Sequence, residues 1–274
     1  MKITKAILPL AGAATRFLPF SKAVGKHFLP IVDRPAIQIL VEQIAATGIE
    51  EIFFVVSPHE KILPKYFSAD ENLNELLRAR GKSEIAKELK KLENCARFFF
   101  VEQNAPRGDG DAVLRAAEKF ENESFAVFFA DDLIFGESPP EQLLRAFEKN
   151  GKTVVGVQKV PETEVGNFGI VRPDRDGEHF QILDFAEKPA AQKAFSNLAV
   201  VGKYVCAPEV VDALKNCARS ADGELRLADA FQFLLKNEGE IFGQVLNGER
   251  FDLGNPRGFL AANFFAARRK GIDF

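Results

Sequence analysis

Short apolar runs alternate with helix-like periods along most of the chain. The apolar runs occupy residues 5–10, 51–56, 97–101, 125–129 and 153–157. Between the first two runs, Ile37, Leu40, Val41 and Ile44 recur at the three- and four-residue spacing of a helix face. Such alternation is typical of parallel strands joined by crossover helices. We therefore predict a three-layer α/β domain, with a mixed, mostly parallel central sheet and helices on both faces.

The same periodicity places further helices. One begins at Pro35 and ends near Gly48, and the charged stretch 66–93 contains one or two surface helices with a break near Gly81. Other helices are expected at 111–120, at 140–150, from Pro208 and at 257–270. Strand-like pieces in the less regular second half cover 169–172, 181–186 and 198–205. No repeat or linker is visible, so we expect one domain over residues 1–274.

Composition and charge narrow the possible functions. The 274 residues are 46% hydrophobic and 27% charged, which is usual for a soluble globular protein. No apolar run approaches the roughly 20 residues that span a bilayer, and no signal peptide is recognisable. The net charge of -3 lacks the basic excess of a nucleic-acid binder, and three cysteines without C-x-x-C spacing argue against disulfides or zinc. We predict a cytoplasmic protein that binds neither nucleic acid nor a membrane.

A loop of small residues follows the first predicted strand. Ala11, Gly12 and Ala13 would let backbone N–H groups approach a phosphate, and Thr15 and Arg16 follow directly. An ordinary turn is the alternative explanation. A dinucleotide site, as in an NAD-dependent oxidoreductase, would need the G-x-G-x-x-G spacing, which is absent. The loop is therefore a candidate phosphate site.

Basic residues come soon after this loop. Lys22 and Lys26 are four residues apart, so they share a helix face or lie close together in an extended loop. Lysines are most often simply solvated. Their proximity to the small-residue loop favours a cradle for a triphosphate instead.

Four acidic positions are candidates either for chemistry or for a structural role. Asp131 ends an apolar strand, where an unpartnered carboxylate would be costly to bury, so a hard cation such as Mg²⁺ is the better explanation. Asp132 could instead cap a following helix. Asp252 could be a turn residue before Gly254, and Glu187 with its neighbouring lysine could form a surface ion pair.

These motifs together resemble those of the sugar-nucleotide pyrophosphorylases. The matching residues, in chain order, are Ala11-Gly12, Thr15-Arg16, Lys22, Lys26, Leu29-Pro30, Gln103, Gly108, Ala130-Asp131-Asp132, Phe168-Gly169-Ile170-Val171, Glu187-Lys188-Pro189 and Phe251-Asp252-Leu253-Gly254. They cover most of the chain. The resemblance implies a Rossmann-like nucleotidyltransferase (GT-A-like) fold, with a nucleotide-binding half at about 1–135, a sugar-phosphate-binding half at about 136–256 and a C-terminal helix at about 257–274.

The resemblance also implies a role for each matching position. The nucleotide-binding residues would be Ala11, Gly12, Ala13, Thr15, Arg16, Lys26, Gln103 and Gly108, with Arg16 and Lys26 also catalytic. The sugar phosphate would be held by Gly169, Glu187 and Lys188, and Mg²⁺ by Asp131 and Asp252. Gln103 and the Gly108 backbone would read the edge of the base.

Within this family, three stretches resemble the bacterial uridylyltransferases that act on glucose 1-phosphate. They are residues 66–92, 196–204 and 223–230. This likeness implies UTP and glucose 1-phosphate as substrates and a homo-oligomer, either a dimer or a tetramer. A thymidylyl- or cytidylyltransferase of the same family is one alternative. A non-catalytic nucleotide or nucleotide-sugar sensor on the same fold is another.

Five positions depart from the family pattern. Ala14 replaces a glycine of the phosphate loop, and His27 stands where glutamate is usual. Asp109 and Asp111 replace the usual leucine and histidine, and Phe168 replaces tyrosine. Two acids near a triphosphate should oppose its binding. We therefore expect Asp111→His, alone or with Asp109→Leu, to tighten UTP binding or leave it unchanged.

Overall fold

The structure, a computed structural model, describes residues 2–12, 14–120, 122–220 and 222–272. Within these ranges the strands are β1 (Lys5–Pro9), β2 (Pro30–Ile31), β3 (Arg34–Pro35), β4 (Glu51–Val56), β5 (Arg97–Glu102), β6 (Phe125–Phe128), β7 (Asp132–Phe135), β8 (Thr153–Lys159), β9 (Gly169–Pro173), β10 (His179–Glu187), β11 (Leu198–Cys206), β12 (Ile241–Val245) and β13 (Glu249–Asp252). The α-helices are α1 (Ala36–Ala45), α2 (Ile62–Phe67), α3 (Glu71–Ala79), α4 (Ser83–Glu93), α5 (Asp109–Ala117), α6 (Pro139–Glu148), α7 (Glu209–Asn216), α8 (Leu227–Lys236) and α9 (Pro256–Arg269).

A nine-stranded sheet with the order β5-β4-β1-β6-β11-β8-β12-β10-β9 forms the centre. Its parallel pairs are β5–β4, β4–β1, β1–β6 and β12–β8, and the other neighbours are antiparallel. In the parallel half, Ile7 of β1 pairs with both Phe53 and Val127. Strands covered on both faces read as continuous apolar runs, which is why β4 begins and ends where the sequence predicts.

The core lies on both faces of this sheet. On one face, α5, α7 and α8 contribute Val113, Val210 and Phe231 to a cluster with β1 and β6. On the other face, α1 and α6 contribute Leu40 and Phe147 to a second cluster. The predicted fold class, a three-layer α/β domain with a mixed sheet, is confirmed. Among the described residues, no helix is both long and apolar enough to cross a membrane.

Two small additions outside the main sheet shape its carboxyl edge. β7 pairs antiparallel with β13, which sets Asp132 opposite Asp252, and β2 pairs with β3. Helix α9 packs against the β7–β13 pair, and Ala262 of this helix shares a small core cluster with Leu253, which directly follows β13. The predicted C-terminal helix is therefore present as far as Arg269. Residues 273 and 274 lie outside the described residues.

Candidate active site

Three parallel strands end at one cavity. The loops after β1, β5 and β6 supply most of its wall, because carboxyl ends of parallel strands meet at one edge of the sheet. The cavity has a volume of about 280 Å³ and is lined by Pro9, Leu10, Ala11, Gly12, Lys26, His27, Gln103, Pro106, Gly108, Asp109, Ala112, Phe129, Ala130, Asp131 and Glu224. We call it the base pocket, after the predicted base-reading residues Gln103 and Gly108 in its wall. Five predicted nucleotide-binding residues thus lie together: Ala11, Gly12, Lys26, Gln103 and Gly108.

The small-residue loop leaves backbone donors available in this pocket. Among the described residues, no hydrogen-bond acceptor faces the N–H groups of Ala11 and Gly12. A Cβ placed on Gly12 would meet no protein atom within 4 Å, so the space beside it is open to a ligand. Ala13 lies outside the described residues. Ala14 adopts the left-handed conformation with φ 49°, which explains why this loop position suits glycine.

Two glycines of the pocket should therefore respond differently to substitution. Gly12→Val is expected to leave the melting temperature unchanged, because the space beside Gly12 is open. It is expected to weaken nucleotide binding about 10- to 100-fold, because the valine side chain would block one hydrogen bond from the backbone to a charged phosphate. Gly108→Ala is expected to destabilise the fold, since its φ is +98° and its Cβ would lie 2.2 Å from the Leu225 carbonyl oxygen. Thermal unfolding and calorimetric titration with UTP would separate the two effects. Equal losses of stability in both variants would contradict this interpretation.

Gln103 and Gly108 line the base pocket and are joined to each other by a hydrogen bond. The Gln103 side-chain amide donates to the Gly108 carbonyl at 3.0 Å and to Asp111 Oδ2 at 2.9 Å. No acceptor among the described residues faces the Gly108 N–H. This arrangement leaves one backbone donor and the Gln103 carbonyl oxygen for a base.

Asp131 lies beside Lys26 where the base pocket meets a second cavity. Lys26 Nζ donates to Asp131 Oδ2 at 2.5 Å, and both side chains are about 30% exposed. Burial alone would raise the pKa of Asp131, but the charge and hydrogen bond of Lys26 hold it below the ordinary value. The carboxylate is therefore ionised, as a cation ligand must be.

Asp252 approaches Asp131 through the turn after β13. A Cβ placed on Gly254 would lie 2.8 Å from Asp252 Oδ1 and 3.6 Å from Asp131 Oδ2. The two carboxylates therefore lie close together beside Gly254. Asp252 also accepts hydrogen bonds from the Gly254 N–H (2.7 Å) and from Asn255 Nδ2 (3.0 Å).

The donor set fits Mg²⁺ that is completed by substrate oxygens and water. Mg²⁺ is usually held by one or two carboxylates plus phosphates, rather than by an all-protein cage. Among the described residues, no cluster of three or more His, Cys, Asp or Glu side chains could hold a metal alone.

Asp132 does not cap a helix, and that expectation was wrong. Strand β7 begins at this residue, and its buried carboxylate accepts two hydrogen bonds from Arg250, at 2.6 and 2.8 Å. The Arg250 guanidinium also lies over the Phe168 ring, 4.8 Å from its centroid. This pair ties β13 to the strand that follows Asp131.

Lys203 is a second buried cation behind the aspartates. It is 1% exposed and donates to the Phe129 carbonyl at 2.6 Å. Burial lowers the pKa of Lys203 to about 8, although Asp132 and Asp131 favour its charged form. No motif in the sequence indicates a role for Lys203 or Arg250. The feature of the sequence that indicates Lys203 is its place as a lysine inside the otherwise apolar run 198–206.

The predicted sugar-phosphate residues line the second cavity and the groove beyond it. The second cavity, of about 250 Å³, shares Asp109, Phe129 and Asp131 with the base pocket, and Gly169 and Glu187 line its far side. Gly169 pairs with Glu187 across β9 and β10. We call this cavity the sugar pocket, after the predicted sugar-phosphate residues Gly169 and Glu187 in its wall.

Lys188 and Arg16 both line an open groove beside the sugar pocket, together with Asp252. The Lys188 side chain is 63% exposed and lies 3.8 Å from Glu187. Arg16 therefore lies in the wall of this groove and not in that of the base pocket. Thr15 and Lys22 line neither cavity. Thr15 lies in the same 3-10 turn as Arg16.

Asp109 and Asp111 are integrated into the protein. Asp109 Oδ1 accepts from the Leu227 N–H at 2.7 Å, and Asp111 Oδ2 accepts from Arg115 Nε at 2.8 Å. Burial raises the pKa of Asp109 to about 6. The expectation that Asp111→His tightens UTP binding or leaves it unchanged stays untested, but Arg115 pairs with the carboxylate whose negative charge motivated it.

The described residues thus form a three-layer α/β fold with two adjoining cavities at the carboxyl edge of its sheet. A family model described as Nucleotidyl transferase matches residues 5–269, and the chain belongs to this family. It is 39% identical over 270 residues to the UTP–glucose-1-phosphate uridylyltransferase of Mycoplasma pneumoniae, covering 97% of this chain and 93% of the relative.

Solved structures give the same result. A UDP-glucose pyrophosphorylase complexed with UDP-glucose superposes with a TM-score of 0.88 at 30% identity, covering 98% of this chain and 100% of that one. A UTP-bound UGPase from Acinetobacter baumannii superposes with a TM-score of 0.90 at 30% identity, covering 98% and 94%. The family resemblance seen in the sequence is thereby confirmed.

Proposed function

We propose that the chain transfers a uridylyl group from UTP to glucose 1-phosphate, giving UDP-glucose and pyrophosphate. The observation that carries this proposal is one cleft in which the base pocket, the sugar pocket and the two convergent carboxylates adjoin. The 39% identity to a uridylyltransferase and the UTP and UDP-glucose complexes of similar structures support the choice of substrates.

In the proposed reaction, an oxygen of the sugar phosphate attacks the α-phosphorus of UTP. The bond to the bridging oxygen breaks, and pyrophosphate leaves. The nucleophile is already ionised at neutral pH, so the protein needs no general base and acts by positioning and charge neutralisation.

Each side chain would contribute to binding or orientation. The free N–H groups of Ala11 and Gly12, with Lys26 and Arg16, would hold the triphosphate. Gln103 and Gly108 would read the base. Gly169, Glu187 and Lys188 would hold the sugar phosphate, with Glu187 accepting hexose hydroxyls. Asp131 and Asp252 would hold Mg²⁺, which would supply positive charge between the two phosphate groups.

The remaining sequence-based expectations are part of the same proposal. The base pocket is lined by residues up to 131, with Glu224 as the exception, which supports a nucleotide-binding half at about 1–135. Ala13 and Thr15 stay predicted nucleotide-binding residues. A cytoplasmic location and a dimeric or tetrameric assembly also stay predictions.

The test is pyrophosphate release by the purified chain over a panel of nucleoside triphosphates and sugar 1-phosphates with Mg²⁺. The greatest turnover is expected with UTP and glucose 1-phosphate. Comparable or higher turnover with dTTP or CTP would reject the uridylyl assignment. Absence of pyrophosphate release with every pair would favour a nucleotide sensor instead.

Lys188→Ala is expected to raise the KM for glucose 1-phosphate about 10- to 100-fold while changing that for UTP little, because a charge-assisted contact to phosphate is lost. Lys193→Ala, at an exposed lysine five residues further along, is the matched control. Steady-state kinetics with each substrate varied in turn would measure both constants. An unchanged KM for the sugar would place Lys188 outside the site.

A further inference from the structure

A buried polar relay connects the base pocket to the first turn of α5. Gln103 and Asp111 are 6% and 7% exposed. The Gln103 amide nitrogen donates to Asp111 Oδ2 at 2.9 Å, and Arg115 Nε donates to the same oxygen at 2.8 Å. Arg219 lies 4.0 Å from the other carboxylate oxygen. The acid thus stands between the base-pocket amide and a cation.

The chemistry of this relay decides the orientation of the Gln103 amide. A carboxamide has one end that donates two hydrogens and one end that only accepts. Both neighbours of the amide nitrogen, the Gly108 carbonyl and the Asp111 carboxylate, are acceptors. Rotating the amide would place its oxygen against two acceptors and lose both hydrogen bonds. Among the described residues, no group donates to the Gln103 carbonyl oxygen. This oxygen is therefore free to accept a hydrogen bond from a ligand in the base pocket.

The negative charge of Asp111 stabilises this orientation of the Gln103 amide. Although burial favours its protonation, the hydrogen bonds from Gln103 and Arg115 hold the pKa of Asp111 below the ordinary value. An ionised carboxylate cannot donate to Gln103.

We propose that Asp111, anchored by Arg115, is a positioning residue that fixes the Gln103 amide and thereby makes the base pocket select a pyrimidine with a ring N–H. This inference rests on the proposed binding of a nucleoside triphosphate. Uracil carries a hydrogen on N3, whereas the N3 of cytosine is an acceptor and would face the Gln103 oxygen. Thymine shares the N3 hydrogen, so the relay separates UTP from CTP but not from dTTP.

The test compares dissociation constants for UTP and CTP by calorimetric titration without the sugar phosphate. The parent chain should bind UTP more tightly. Asp111→Leu removes the acceptor, and the UTP preference is expected to fall about tenfold, the value of one hydrogen bond. Asp111→Asn keeps one acceptor oxygen and should retain part of the preference. Glu118→Leu, at an exposed acid just beyond α5, is the charge-matched control and should retain all of it.

The ratio of the two constants separates positioning from structure, because a loosened fold weakens both nucleotides alike. If Asp111→Leu does not fold, Arg115→Met removes the anchor and should lower the ratio in the same direction. An unchanged ratio in the folded variant, or a parent chain that binds both nucleotides equally, would overturn the inference. Selective binding without pyrophosphate release would reject the proposed function alone, whereas turnover of UTP with an unchanged ratio would reject the role of Asp111 alone.

Discussion

Asp131→Asn is expected to lower the turnover of UTP and glucose 1-phosphate about a thousandfold, since each 1.4 kcal/mol of lost transition-state stabilisation is a factor of ten. Asparagine keeps the shape of the side chain and removes its negative charge. In the proposed reaction that charge would help to hold Mg²⁺ between two phosphate groups. Asp252→Asn should cost a similar amount.

The double variant tests whether the two carboxylates act on one ion. Groups that act as a unit are not additive, so Asp131→Asn with Asp252→Asn should be little worse than the poorer single variant. Their oxygens both lie close to Gly254, which is why a shared ion is expected. Independent roles would instead multiply the two losses. The measurements are kcat/KM for each variant and the Mg²⁺ dependence of the rate.

Controls are needed because both aspartates have protein partners. Lys26 loses its ion pair in Asp131→Asn, and Asn255 loses an acceptor in Asp252→Asn. Thermal unfolding would show whether either loss disturbs the fold, and Asp212→Asn on the exposed side of α7 is the matched control. Calorimetric binding of UTP should persist, because Gln103 and Gly108 are unchanged. Near-normal turnover in Asp131→Asn would refute the proposed role.

Much of the first half of the fold could be predicted because its strands carry strong local signals. β4 is buried along nearly its whole length and therefore reads as one apolar run. The break near Gly81 separates α3 from α4, as expected from its positive φ of 71°. The small-residue loop after β1 and Asp131 could also be placed, since both follow such strands directly.

Two strands that could not be predicted from the sequence depend on contacts distant in sequence. β7 and β13 are four residues each and exist by pairing with one another, with Asp132 opposite Asp252. No local period distinguishes such short segments from loops. Helix α8 was also missed, although its apolar residues have helical spacing. The run 223–230 drew attention only through its family likeness.

The site residues likewise differ in whether a local sequence pattern or a distant contact identifies them. Motif positions such as Gln103 could be named from the sequence, but their partners could not. The contact of Arg250 with Asp132 spans 118 residues, and the Gln103–Asp111 bond depends on how α5 packs beside the base pocket. The sequence consequently indicated Asp111 only as a negative charge that opposes triphosphate binding, and Asp132 as a possible helix cap.

Arg250→Met is expected to lower the free energy of unfolding by about 3–5 kcal/mol, because removing one partner of a buried ion pair leaves an uncompensated charge. Asp132 is 8% exposed and would lose both hydrogen bonds that its carboxylate accepts from Arg250. The charge of Lys203 would still act on Asp132, but among the described residues Lys203 donates to the Phe129 carbonyl and not to this carboxylate. Phe168 would also lose the guanidinium that lies over its ring.

Urea denaturation of three variants would isolate the cost of the orphaned charge. Adding Asp132→Asn to Arg250→Met neutralises that charge and should restore part of the stability, although each change alone removes a partner. Arg145→Met is the matched control, because Arg145 pairs with Glu137 at the surface, where both side chains are over 40% exposed. An exposed pair contributes about 0–1 kcal/mol. If Arg250→Met were no less stable than Arg145→Met, the Asp132–Arg250 pair would not be what joins β13, and with it Asp252, to the strand beside Asp131.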